Sequence, residues 1–292
     1  MTKLKLDESK IRKGKPIGLP YVGSKKKISK KIVEIIKQNF GTDKTIYDLF
    51  GGGGAITFEC LINGLDVVYN DIDLLIGQAI QLVIDSDRDF LKELIISRDE
   101  FYAIKLKEDK TPEDKLKLLV NSFGNNERSY LYSRKYSDAK YVLAMEIIQK
   151  HDCFSGYKQT STFRDVVDKV PELHRIEVLE RLEQILQLQN TTSINDFTVN
   201  NNSYEHYSDI TDSILYLDPE YKSSTQKMYS ADRLNVEKFY QWCIELSKSN
   251  IVLISEYDMP EEFKCVFEFN KTKSKFKGSS KSKKYEKLFM VR

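Results

Sequence analysis

The chain lacks a CxxC pair, a histidine cluster and a long apolar run, and its 292 residues include only 13 glycines and 6 prolines. Cys60, Cys153, Cys243 and Cys265 are scattered, which argues against a disulfide framework or a zinc ribbon and fits a reducing cytoplasm. His151, His174 and His206 are isolated, so no metal site is expected. No apolar stretch approaches the roughly 18 residues of a membrane span. The first 15 residues lack the apolar core and cleavage site of a secretory signal. A cytoplasmic chain with no membrane partner is the expectation. With 40% hydrophobic and 31% charged residues, extensive disorder is excluded.

A net charge of +2 conceals an asymmetry. Residues 1–40 hold 12 Lys/Arg against 3 Asp/Glu, and residues 264–292 hold 10 against 2, so the ends carry +17 and the middle −15. Basic ends on an acidic body suggest a polyanionic partner. Two disordered lysine-rich tails are the alternative.

Short apolar runs bounded by polar residues predict buried parallel strands at Thr45–Phe50, Ser213–Leu217 and Asn250–Ser255, with Asp66–Tyr69 as a fourth. Helices are predicted where Ile28, Ile32, Ile35 and Ile36 recur before Gly41, and where Leu173, Ile176, Leu179, Leu182 and Leu186 recur. A third is predicted over Asn235–Ser249, with Trp242 and Cys243 as core residues. Strands alternating with helices imply an α/β sheet. Residues 85–193 read as a helical insertion between two parts of that sheet, 1–84 and 194–292. Lys271–Lys284 is low in complexity and reads as a loop or hairpin tip.

Four glycines, Gly51, Gly52, Gly53 and Gly54, separate a strand from a helix, so that backbone N–H groups can approach a ligand. Asp71, twenty residues after Gly51, stands where an acid can bind a ribose diol. The run is not a GxGxxG dinucleotide fingerprint, and a plain tight turn is the alternative. Upstream, Gly23, Ser24 and Lys25 form a basic helix entrance suited to an anionic group, or an ordinary N-cap by Ser24.

Asp218, Pro219, Glu220 and Tyr221 end the strand Ser213–Leu217, at the edge where open α/β sheets hold ligands. An adenine amino group is a poor nucleophile because its lone pair is delocalised. Were Asp218 and the Pro219 carbonyl each to accept an N6 proton, the nitrogen would move towards tetrahedral geometry and could attack a methyl group. Tyr221 would stack on the base. A surface Asp-Pro turn is the bland alternative.

The ordered set YVGSK (21–25), DLFGGGGA (48–55), YNDID (69–73) and LDPEY (217–221) resembles the Dam-like, alpha-class DNA adenine-N6 methyltransferases of phages and bacteria. The similarity continues through Asn121–Asn126, Tyr130–Arg134, Phe239–Trp242, Ile254–Pro260 and Glu286–Phe289. The resemblance implies a Rossmann-like α/β sheet with helices on both faces and an inserted helical target-recognition subdomain. It also implies S-adenosylmethionine as donor, double-stranded DNA as partner, base flipping, and a cognate restriction nuclease as a further candidate partner. Tyr21, Gly23, Ser24, Lys25, Asp48, Phe50 and Gly51 to Gly54 are implied around the donor, with Asp71 at its ribose and Ile72 at its adenine. Ser203 and Tyr204 stand where the family often places an acid, which this chain lacks. Asp218, Pro219 and Tyr221 are implied to be catalytic.

Glu220 departs from the family's Asp-Pro-Pro-Tyr. Loss of the second proline restores backbone freedom, at a cost of about 1 kcal/mol, so slowed methylation is expected and Glu220→Pro should accelerate it. A binding protein of the same fold without turnover is the alternative, and methylation of an amine on RNA or protein a third reading. A NAD oxidoreductase is the weakest. For DNA contact the candidates are Lys26 and Lys27 within Lys25–Lys31, Lys271–Lys287, Arg128, Arg134, Lys135 and Lys140, with Asn125 and Asn126 as base readers or turn formers.

Overall fold

The computed structural model describes residues 3–191, 197–219, 234–269 and 285–291. Helix α1 (Ser29–Phe40) leads to strand β1 (Ile46–Asp48), α2 (Ala55–Ile62), β2 (Val67–Tyr69) and α3 (Leu74–Asp85). Six helices follow: α4 (Phe90–Glu93), α5 (Arg98–Lys105), α6 (Pro112–Asn121), α7 (Ser137–His151), α8 (Ser161–Val167) and α9 (Glu177–Gln189). The chain then returns through β3 (Ile214–Leu217), α10 (Val236–Leu246), β4 (Ile251–Glu256), β5 (Phe263–Glu268) and β6 (Lys287–Val291).

Among the described residues the strands form one sheet in the order β2-β1-β3-β4-β6-β5. The first four are parallel, and β6 is antiparallel to both β4 and β5. Ile46 of β1 pairs with Val67 of β2 on one side and Ile214 of β3 on the other. The strand order therefore reverses at β1, and the crevice beyond its carboxyl end is where such sheets bind ligands.

Alternation along the strands covers both faces of the sheet. Ile214 and Tyr216 pack with Ile32, Ile36, Ile46 and Leu253 on one side. Leu215 and Leu217 pack with Phe239, Cys243, Val252 and Phe289 on the other. Each fully buried aliphatic side chain contributes about 1.5–3 kcal/mol. A third core joins Leu19, Phe58 and Tyr69 to apolar faces of α3, α6, α7 and α9. The α/β expectation is met, and among the described residues from α4 to α9 the regular structure is helical apart from one bridge between Ser122 and Tyr130.

β1 is shorter than its predicted run, pairing only over Ile46–Asp48, β2 and β3 each start one residue late, and β4 is shifted one residue on, to Ile251–Glu256. The first predicted helix is found, with Gly41 at φ 89° as its stop. The second begins late: Leu173 sits in a separate 3-10 turn started by Pro171, and α9 opens at Glu177. Its buried face is Val178, Leu179, Leu182, Ile185 and Leu188, while Leu186 lies at the edge. In α10, capped by Asn235, Cys243 is buried as expected. Trp242 is only half-buried, with its indole N–H donating to Ser208 Oγ at 3.1 Å. The β5–β6 pair was not anticipated, since a bulge between Cys265 and Phe267 breaks its period of two. Lys271–Lys284 lies outside the described residues.

Candidate active site

The glycine turn leaves β1 directly into α2. A Cβ on Gly51 would stand 2.3 Å from the Tyr69 ring, and one on Gly54, at φ +76°, 2.3 Å from the Phe58 ring. Both rings are buried, so neither can yield cheaply and only glycine suits these positions. The turn is tied to β2: Gly51 N donates to Asn70 O at 2.9 Å, and Tyr69 OH donates to Gly52 O at 2.9 Å.

Asp71 receives Gly52 N at 2.7 Å and Asp73 N at 2.8 Å. Desolvation outweighs these bonds and pushes its pKa up to about 6. Asp48 faces inward at the root of the turn, 1% exposed, and accepts from Thr57 N at 3.1 Å and Thr57 Oγ1 at 2.7 Å. Burial pushes it up to about 7 against those hydrogen bonds. Its contacts anchor α2, so it shapes the turn from beneath.

Beyond Asp71 the surface becomes apolar. Ile72 is 59% exposed. Phe50 stacks on Tyr204 with ring centroids 6.3 Å apart, and Tyr204 meets Trp242 edge-on at 4.9 Å. Ser203 caps the short turn that carries Tyr204. Asn200, Asn201 and Asn202 lace this segment to the end of β2. Asn200 donates to Tyr69 O, Asn201 to Asp71 O and Ile72 O, and Asn70 bridges Leu49 O and Asn202 O. Their role was not foreseen, although three successive asparagines were visible in the sequence.

The second cluster lies where β3 and β4 end. Lys25 is buried, and its ammonium lies 2.7 Å from Asp218 Oδ1 and 3.5 Å from Glu286 Oε1. Burial alone would lower the Lys25 pKa, but the two carboxylates more than offset that and raise it. Ser255 Oγ donates to Glu286 at 2.9 Å. The neighbouring Glu256 is pushed by burial up to about 7. Lys25, expected to receive an anionic ligand group, is thus committed to protein carboxylates. Glu286 and Ser255 were missed as site residues because their meeting depends on the antiparallel return of β6. Pro219 is buried beside Asp218, while Glu220 and Tyr221 lie outside the described residues. Because β1 and β3 are neighbours, with Leu49 N donating to Tyr216 O, the glycine turn and Asp218 leave adjacent strands at one edge.

The cationic candidates divide by environment. Lys27, Arg128, Arg134 and Lys135 are exposed, and Lys135 lies 4.9 Å over the Tyr136 ring. Lys140 is buried, lies on the Tyr132 ring and pairs with Glu177 at 3.1 Å, which removes it as a phosphate contact. Lys26 is drawn inward to Gly18 O at 2.7 Å. Asn125, at φ 57°, donates to Leu119 O, and Asn126 accepts from Arg128 N, so both shape a turn. Lys115 ties this turn to the start of α3 through Asp73 and Glu127, each at 2.8 Å. Among the described residues no group of three or more His, Cys, Asp or Glu could hold a metal ion, and no helix is long and apolar enough to cross a membrane.

Residues 21–241 match the family described as D12 class N6 adenine-specific DNA methyltransferase. No curated protein matches the chain. Among solved structures, the rRNA methyltransferase aviRa from Streptomyces viridochromogenes is similar at 10% identity over 98% of this chain and 93% of its own, with a TM-score of 0.38. That value is too low to carry an argument.

Proposed function

The chain belongs to the D12 class of N6 adenine-specific DNA methyltransferases, and from that premise we propose that it moves the methyl group of S-adenosylmethionine to adenine N6 in a nucleotide flipped out of double-stranded DNA. The observation that carries this reading is the exit of the glycine turn and of Asp218-Pro219 from adjacent parallel strands at the same edge. Donor and acceptor then meet without a relay between them.

The residues present fit the donor. Gly51 and Gly54 let the turn close tightly over the Tyr69 and Phe58 rings, where no side chain fits, so the turn presents bare backbone, and Asp71 is a half-buried acceptor suited to ribose hydroxyls. Ile72, Phe50 and Tyr204 offer apolar surface for a purine, while Tyr21, Gly23, Ser24 and the rest of the turn, Gly52 and Gly53, complete the enclosure. Asp48 supports it from below. Bound S-adenosylmethionine supplies an electrophilic sulfonium methyl group.

The chain's own residues prepare the nucleophile. Asp218, oriented by Lys25, accepts a hydrogen bond from one N6–H and the Pro219 carbonyl from the other, localising the nitrogen lone pair. Once N6 carries the methyl group it releases one proton toward Asp218 and returns to neutrality. Tyr221 stacks on the extruded base. This is catalysis by orientation and preset dipoles, with no covalent enzyme intermediate. Residues 85–193 serve as the target-recognition insertion, with Lys27, Arg128, Arg134 and Lys135 on phosphates.

Incubation with radiolabelled S-adenosylmethionine and a mixed-sequence duplex should label the DNA. Asp218→Ala should lower the transfer rate by about 10³-fold or more while donor binding by equilibrium dialysis persists. Undiminished labelling by that variant would remove Asp218 from the mechanism.

A further inference from the structure

A cleft of about 420 Å³ separates the Pro20–Lys27 segment from the helical segment, walled by Tyr21, Phe123, Leu131 and Gln184 and carrying Lys26 and Arg181. Both cations are held by neutral groups. The Lys26 ammonium donates to Gly18 O at 2.7 Å and Gln184 Oε1 at 3.1 Å. Arg181 donates through Nη1 alone, to Val120 O at 2.6 Å, Ser122 O at 2.8 Å and Leu119 O at 3.3 Å. Among the described residues its Nε and Nη2 have no partner.

The two carboxylates on the same wall are already taken. Glu177 pairs with Lys140 and Glu180 with Arg175. Two partly desolvated positive groups therefore share one cavity with no carboxylate at ion-pair distance from either among the described residues, Glu177 and Glu180 acting on Arg181 only at longer range and too weakly to offset its burial. Burial, then the repulsion of Arg181, brings Lys26 down to about 8, and burial brings Arg181 down to about 10. Charges withdrawn from water without a counter-ion are unfavourable, and an anion entering the cleft would relieve both. An ammonium beside a planar guanidinium edge suits a tetrahedral oxyanion. The exposed Lys27 and the Phe123 ring, 61% exposed, lie at the same cleft, as a polymer continuing across the surface requires.

We infer that this cleft is a phosphate subsite for the DNA strand, with Lys26 and Arg181 as its two ligands to one backbone phosphate. The inference rests on the DNA-methylating reading above and adds a defined contact point at the seam between catalytic sheet and helical insertion.

The test is duplex affinity by fluorescence anisotropy across a range of NaCl concentrations. Losing one phosphate contact lowers the slope of log K against log salt by about 0.9. Lys26→Gln should show that loss, Lys26→Arg should keep the wild-type slope, and Lys248→Gln, on a distant exposed helix end, should change nothing. Gln184→Glu is the second variant: it gives Lys26 an internal counter-charge, so the slope should fall by a similar amount while the fold is retained. An unchanged slope in Lys26→Gln or Gln184→Glu overturns the inference, even if the wild-type protein binds and methylates DNA. Absence of binding and of label transfer in the wild type would instead overturn the parent reading. In a separate arm inorganic phosphate is titrated by calorimetry. Stoichiometric binding abolished by Lys26→Gln, with an unaltered DNA slope, would assign the cleft to a free anion and overturn the DNA source.

Discussion

Where β1 and β2 end, Asp48 and Asp71 are held by backbone N–H groups and a threonine hydroxyl, with no ion pair to either among the described residues. Where β3 and β4 end, Asp218 and Glu286 share the ammonium of Lys25. Both pairs stand on one sheet edge, yet burial drives the first pair towards the neutral form while the second carries its own counter-ion. The first pair thus consists of acceptors held by hydrogen bonds, with only the more distant charge of Lys115 acting on Asp71. In the proposed reaction the second pair supplies a carboxylate already fixed in orientation by Lys25.

Removing the counter-ion should break this contrast most severely. Lys25→Met leaves Asp218 and Glu286 together without compensation, and losing one partner of a buried pair costs about 3–5 kcal/mol. Urea unfolding should show that loss together with a collapse of methyl transfer. A variant of wild-type stability would mean that solvent already screens the cluster.

An effect of similar size, but spread over a pH range, is expected at Asp48. Its folded-state pKa of about 7 exceeds the ordinary aspartate value of 3.8, so the folded protein binds that proton more tightly. The associated stability is complete below about pH 4 and is lost as pH rises through 7, with a slope of up to about 1.4 kcal/mol per pH unit. Asp48→Asn keeps the shape and removes the titration. The difference between the two unfolding-energy profiles should therefore slope between pH 4 and 7 and be flat above. A flat difference throughout would show that Asp48 ionises normally.

The least drastic comparison concerns Asp71. As the ionised acceptor for ribose hydroxyls, with a pKa of about 6, it should make donor affinity rise from pH 5 to 7. Asp71→Asn should bind donor about tenfold more weakly at pH 7, the loss expected for a hydrogen bond to a charged group, and should lose the pH dependence. Calorimetric titration at pH 5, 6 and 7 distinguishes these profiles. A pH-dependent Asp71→Asn protein would place the titrating group elsewhere.

Much of the sheet was legible because continuous apolar runs can only be buried strands or helix cores, and their short lengths favoured strands. The glycine turn was legible for a similar reason, since four glycines in a row have few structural uses besides close backbone approach. Lys140 and Arg134 look alike in sequence, but one lies on the Tyr132 ring with Glu177 and the other in solvent. Lys25 likewise looked like a ligand-binding cation. Its commitment to Asp218 and Glu286 depends on residues 193 and 261 positions away, which no local pattern encodes.

The sequence by itself determined the alternation of strands and helices, the glycine turn after β1 and the Asp-Pro step after β3, because each depends on residue type and near neighbours. The tertiary structure alone decided which charges are compensated. Ionisation and hydrogen bonding depend on distance and on exclusion of water, and both arise only when β6 returns beside β4 and the helical segment closes over Lys26.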